Sequence, residues 1–280
     1  MKDLLSPKMD FIFKQIFGNE KHPNILISFL NAVLEPRSKV SSVIIKDRVL
    51  EKEYITNKYS ILDVRAETEK GEKINIEIQR SDQKNIIERS MYHASKMYSE
   101  DLLSGEDYSN LKRSICINII DFNYFEDKRY HRGMVHKDIE TNEIISDLIE
   151  IHFIELKKFK KDNIDNMLDC WIEFINNPQS KIIREIEFRD NVVKEAKDEL
   201  IKISMNDEQR TLYRLREKAM NDEISALNTA KEKGIKEGIK KERINLAINL
   251  INKGIENDFI VEVTRLSEKE INTLRNNCKK

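Results

Sequence analysis

From residue 73 to residue 79, apolar and polar side chains alternate without a break. Ile74, Ile76 and Ile78 fall on one parity, and Asn75, Glu77 and Gln79 on the other. A strand turns successive side chains to opposite faces, so this segment offers an isoleucine row to a core and backs it with a polar row ending in Glu-x-Gln. Further strand patterns lie in KVSSVIIKD at 39–47 and SILDVRAET at 60–68. RSICINIIDFNYF at 113–125 is nearly continuous in apolar, β-branched residues, which predicts a strand covered on both faces. DLIEIHFIELKKF at 147–159 alternates through Ile149, Ile151 and Phe153 and reads as one more strand.

Helical spacing fills the intervals. In SPKMDFIFKQIFG, Ser6 is the expected cap, Pro7 the first helical residue and Gly18 the stop. Met9, Phe13, Ile16 and Phe17 form its buried stripe, with Asp10 and Lys14 one turn apart. PNILISFLNAVLEP, bracketed by Pro23 and Pro36, is apolar on most sides and predicts a buried helix. A third helix carries Ile87, Met91, Ala94, Tyr98 and Leu102 at helical spacing and stops at Gly105. In IDNMLDCWIEFINNP the lone Trp171 is a core anchor. The order helix, helix, three strands, helix, strand, strand predicts an α/β fold, a mixed sheet with a helical crossover.

No proline follows Pro178, so the chain turns almost wholly helical there. This divides it into a mixed domain at 1–178, a charged helical extension at 179–242 and a small helical domain at 243–280. The last part reads as three short helices, with Gly254 closing the first and Ser267 with Glu270 forming a capping box on the last. Few of its side chains suit base edges, so it reads as a small bundle or a self-association surface, and a homodimer through these C-terminal helices is the expected assembly.

Composition narrows the function. Of 280 residues, 39% are hydrophobic and 35% charged, enough for a core plus a solvated helical part. With 49 basic and 50 acidic residues the net charge is −1, so no overall basic field draws a polyanion and any nucleic-acid surface is local. That excludes a purely electrostatic DNA binder, but not an enzyme that holds DNA through metal ions. Cys116, Cys170 and Cys278 are widely spaced and show no zinc pattern, as expected of free thiols in a reducing compartment. No run approaches the roughly 18 apolar residues of a membrane span. The expectation is a cytoplasmic protein with no membrane partner.

The hairpin of 60–80 carries the candidate chemistry. A three-residue loop at 70–72 sets Asp63 opposite Gln79 and Arg65 opposite Glu77. A slip by one residue would send Asp63 into the isoleucine face, at a cost of several kcal/mol. Asp63, Arg65, Glu77 and Gln79 therefore share one face, where two carboxylates suit a hard cation such as Mg²⁺. The plainer alternative is a solvated sheet face with Arg65 bridging two acids.

DVRAETEKGEKINIEIQ, together with SPKMDFIFKQIFG before it and IIERSMYHASKMYSEDLLSGEDYSNLKRSICINIIDF after it, resembles the Rpn recombination-promoting nucleases, the PD-(D/E)XK nuclease family transposases. AKEKGIKEGIKKE is similar to the glycine-punctuated Ala-Lys segments near their C-termini. The resemblance covers residues 1–175 well and the tail loosely. It implies a restriction-endonuclease-like sheet and a DNA endonuclease dependent on Mg²⁺ or Mn²⁺, tied to recombination or mobile-element processing. It further implies Asp63 and Glu77 as metal ligands with the Ile78 carbonyl, and Gln79 where the wider superfamily has lysine. Asp10 would be an added acid and Lys14 a phosphate neighbour, while Arg89 and Tyr92 on the following helix would contact substrate. A silent relative that serves as a DNA- or protein-binding scaffold is the alternative.

Overall fold

A computed structural model describes residues 3–34, 39–46, 63–81, 84–100, 102, 105–160 and 164–278. The expected Ser60 strand start and Pro36 lie outside the described residues. Six strands form one mixed sheet: β1 (Val43–Ile45), β2 (Val64–Thr68), β3 (Lys73–Gln79), β4 (Ser114–Ile120), β5 (His131–Lys137) and β6 (Ile144–Glu155), in the order β1-β2-β3-β4-β6-β5. The first three run antiparallel, β3, β4 and β6 run parallel, and β5 returns antiparallel along β6. Parallel neighbours cannot be joined by a tight turn, and α3 (Ile86–Ser99) carries the chain from β3 to β4. This is the mixed, restriction-endonuclease-like α/β sheet flanked by helices that the element order predicts.

Helices cover both faces. The isoleucine row of β3 is buried on the side where α1 (Asp10–Phe17) packs, and α2 (Pro23–Leu34) lies against α1 and β1. On the other side α3 packs on β4 and β6 over Cys116, Ile120, Ile151 and Phe153. Every residue of β4 is buried between these layers, as its unbroken apolar run requires. Beyond the sheet, α4 (Met167–Asn176) and α6 (Asn191–Met205) pack on α2, with α5 (Lys181–Ile186) between them in the chain. Trp171 is fully buried and meets Phe17 edge to face at 5.4 Å, while its indole N–H donates to Ser28 Oγ at 3.2 Å. The buried aromatic anchor thus also has its polar handle satisfied.

All later described elements are helical: α7 (Asp207–Asn252), α8 (Asn257–Thr264) and α9 (Glu268–Cys278). The chain forms two compact units, 1–218 and 219–280. In the second, Ala247, Ile251, Ile260, Leu266 and Ile271 make a small core, Gly254 takes φ +77° after α7, and the Ser267 amide donates to Glu270 at 2.9 Å in the expected capping box.

Four expectations need correction. The first helix begins at Asp10, because Ser6 instead closes a preceding turn with the Met9 amide at 3.1 Å. The first of the three short C-terminal helices is the end of the 46-residue α7. β5 has no counterpart in the sequence reading, since HRGMVHK shows no apolar alternation and gains its place by pairing with β6. On α3 the buried residues are Ile86, Ser90 and Ala94, and Met91 is 53% exposed. The sheet beneath is itself partly polar, so polar residues of the helix turn inward.

At the β5–β6 edge, two neutral histidines lie stacked with ring centroids 5.2 Å apart. Glu150 can only accept, so His152 Nε2–H donates to it at 2.6 Å, and His152 Nδ1 accepts from His131 Nε2 at 2.9 Å. Arg113 pairs with Glu150 from the other side. Burial is the first cause that brings both imidazoles down to about 4, followed for His152 by the charge of Arg113 and for His131 by the cost of placing a second proton beside His152. Between pH 6.5 and 4 the unfolded chain therefore binds more protons than the folded one, and stability falls as the pH is lowered through that window. Urea midpoints measured from pH 7 to pH 4 should drop, and His131→Phe, which keeps the stack but removes one titrating ring, should flatten the slope.

Candidate active site

The β2–β3 hairpin closes through a three-residue loop at 69–71. The Thr68 amide donates to the Glu72 carbonyl at 3.0 Å, and the Gly71 amide to the Thr68 carbonyl at 2.9 Å. Gly71 takes φ +77°, and the third residue of such a loop is the one that needs the left-handed region. The expected loop at 70–72 put Gly71 in the middle and is corrected by this geometry. Each arm slides by one residue, so the pairs are Val64–Ile76, Arg65–Asn75, Ala66–Ile74 and Glu67–Lys73. Because the shift in register is even, the faces are unchanged. Arg65 lies opposite Asn75 rather than Glu77, and one rung past Val64–Ile76 sets Asp63 across from Glu77 rather than Gln79. Lys73 and Gln79 bond through their backbones to the β4 side, which turns the Ile78 carbonyl toward β2, where Asp63 enters.

The polar row is not solvated. Glu77 and Gln79 are each 7% exposed beneath α3. A carboxylate removed from water requires compensation. Glu77 Oε1 accepts both from Gln79 Nε2 at 2.6 Å and from Arg89 Nη2 at 3.0 Å. Asp63 accepts from Arg65 Nε at 3.2 Å. Cys116, on the same face of β4, has its thiol pushed up to about 12, first by burial and then by the charges of Glu77 and Asp63, with Arg65 opposing. Among the described residues no three His, Cys, Asp or Glu side chains gather as a ligand cluster. Two carboxylates with one carbonyl are nevertheless an oxygen donor set suited to Mg²⁺, which keeps several waters.

The other predicted residues are distributed around this pair. Asp10 and Lys14 are both buried on α1. Asp10 accepts from Arg216 Nε at 3.3 Å, with Nη2 on its second oxygen. Lys14 packs near Gly18 and Val64. Arg65 is exposed, and Tyr92 is 64% exposed on α3, its ring edge-on to His93. The sequence reading missed Arg216, which is 206 positions from Asp10, and Lys8, which reaches Asp121 at 2.9 Å just past β4. No local pattern signals either contact. It also missed Ser90, whose hydroxyl donates to Asn118 Oδ1 at 2.9 Å. That residue was legible as the one polar member of the stripe Ile86, Ser90, Ala94.

An antiparallel hairpin with facing acids, followed by a crossover helix and a parallel strand, defines the class of PD-(D/E)XK nuclease folds. Residues 7–230 match the family described as PD-(D/E)XK nuclease family transposase, and the chain belongs to that family. Comparison with curated proteins and with solved structures returns no match.

Arg89 carries the charge that keeps Glu77 buried. Arg89→Leu should destabilise the protein by about 1–3 kcal/mol in urea unfolding without added metal. Adding Glu77→Gln to that variant should recover much of the loss.

Proposed function

We propose that the protein is a divalent-metal-dependent DNA endonuclease that hydrolyses phosphodiester bonds in recombination or mobile-element processing. What supports this reading is the hairpin register, which continued one residue past Val64–Ile76 would bring Asp63 opposite Glu77. Asp63, Glu77 and the Ile78 carbonyl would hold Mg²⁺ or Mn²⁺. When bound, such an ion lowers the pKa of a water and offsets charge on the scissile phosphate.

The chain's own groups do the rest. Both bonds that Glu77 accepts fall on Oε1, which directs Oε2 to the ligand. Gln79 has no proton to exchange, so it orients rather than deprotonates: its Nε2 holds Glu77, and its amide oxygen is left to accept from the attacking water. Asp10 is the added acid of this reading and would act through Oδ2, since Oδ1 already accepts from both the Phe11 amide and Arg216. Arg89, held on Glu77, supplies positive charge toward the phosphate, while Lys14 on the isoleucine side could reach it only past the open end of the hairpin. Arg65 and Tyr92, both exposed, reach toward the strand being cut.

The unpaired buried thiols Cys116 and Cys170 support a reducing, cytoplasmic location. Among the described residues no helix is long and apolar enough to cross a membrane. Exposed Leu227, Ile235 and Ile239 on α7 support a homodimer through the C-terminal helices.

With Mn²⁺ or Mg²⁺ the wild-type chain should nick supercoiled plasmid, and EDTA should stop it. Asp63→Ala and Glu77→Gln should each slow nicking by at least about a hundredfold, as loss of several kcal/mol of charge stabilisation requires. Equal cutting by wild type and Asp63→Ala refutes the assigned site.

A further inference from the structure

Two asparagines lie on the same face of adjacent strands, Asn75 on β3 and Asn118 on β4, and both are buried. Asn118 is satisfied at both ends of its amide, with Oδ1 accepting from Ser90 Oγ at 2.9 Å and Nδ2 donating to the His152 carbonyl at 3.1 Å. Asn75 is only 7% exposed, yet its Oδ1 has no hydrogen-bond partner among the described residues. A buried amide oxygen in that state costs stability that an apolar residue of the same shape would not.

Its surroundings indicate what it is held for. Asn75 stands one step before Glu77 on the polar row, pairs with Arg65 of β2, and lies beside Cys116 of β4. Lys73 Nζ donates to the Met97 carbonyl at 3.1 Å and Arg89 holds Glu77, so α3 runs antiparallel above β3. Four strand residues and eight helix residues between those anchors span about 13 and 12 Å respectively. Asn75 and His93 are the midpoints of these two stretches, and the next residue of the same row beyond Asn75 is Glu77.

We propose that Asn75 is a positioning residue of the acid pair: its side-chain oxygen accepts a hydrogen bond from a water in the shell of a divalent cation held by Asp63 and Glu77. This rests on the metal-dependent reading above. A neutral acceptor suits the place, because it orients a bound water without adding a third negative charge beside two buried acids. Partners of this kind, once removed, typically cost about 10–100-fold in metal affinity.

The test uses the full chain, Mn²⁺ calorimetry and thermal melting with and without the ion. Asn75→Leu keeps the volume and removes both polar atoms. It should melt about 2–4 °C higher than wild type in EDTA, and bind Mn²⁺ at least about tenfold more weakly. Asn75→Ser, too short to reach the ion's waters, should show the same weakening without the rise, and it decides the matter should the leucine variant not fold. Wild-type Mn²⁺ affinity in either variant overturns the proposal: with a higher melting point in EDTA it assigns Asn75 to a buried water, and with a lower one to packing alone. Binding that is absent in wild type, or that survives Glu77→Gln, overturns the metal centre itself and the role of Asn75 with it.

Discussion

The interaction on which the rest depends is the burial of one carboxylate. Glu77 sits on a strand with α1 packed on its isoleucine side and α3 tied to its polar side through Arg89 and Lys73. An ionised group in such a layer must be met by a cation and by hydrogen-bond donors, or it would cost more than the packing around it returns. Arg89 from the crossover helix and Gln79 from the same strand meet that need. The crossover helix is therefore more than a connector. Its inward residues are chosen for a polar sheet face: Ser90 for Asn118, Arg89 for Glu77, and Ala94 where backbone and apolar side chains press closest.

That choice explains where the sequence was legible and where it was not. The strands of the centre declared themselves, because β3 alternates and β4 is apolar throughout. The helices packed on an apolar face, α1, α2 and α4, showed their buried sides correctly, with Trp171 as the anchor. On α3 the same rule failed, since it assumes that an apolar stripe faces in, and here the sheet beneath is polar. β5 was invisible for a related reason: its place comes from pairing with β6 and from the histidine stack, neither of which leaves an alternation in the sequence.

The hairpin gives a finer version of the same lesson. Parity, read from the isoleucine row, put Asp63, Arg65, Glu77 and Gln79 on one face and cannot be wrong by an even slip. Register needed the backbone chemistry of one glycine. Gly71 belongs at the third loop position because that residue alone must take a positive φ, and this moves Asp63 from Gln79 to Glu77. Side-chain pattern fixes which face a residue occupies, and turn chemistry fixes which neighbour it meets.

Long-range charge pairs lie beyond either signal. Asp10 and Arg216 are joined only after α7 has been placed against α1, and the same region brings Tyr213 edge to face with Phe11 at 6.4 Å. The start of α7 thus completes the surroundings of α1 within the first compact unit, which the matched family region, ending at residue 230, also spans. A buried ion pair between chain segments so far apart stabilises little by itself, but breaking it strands a charge. Its consequence is geometric: α1, which carries Asp10 and Lys14 against the back of β3, is held by the helix that leads out of the nuclease fold, so the position of these two residues depends on a segment that a strand-and-motif reading would have treated as tail.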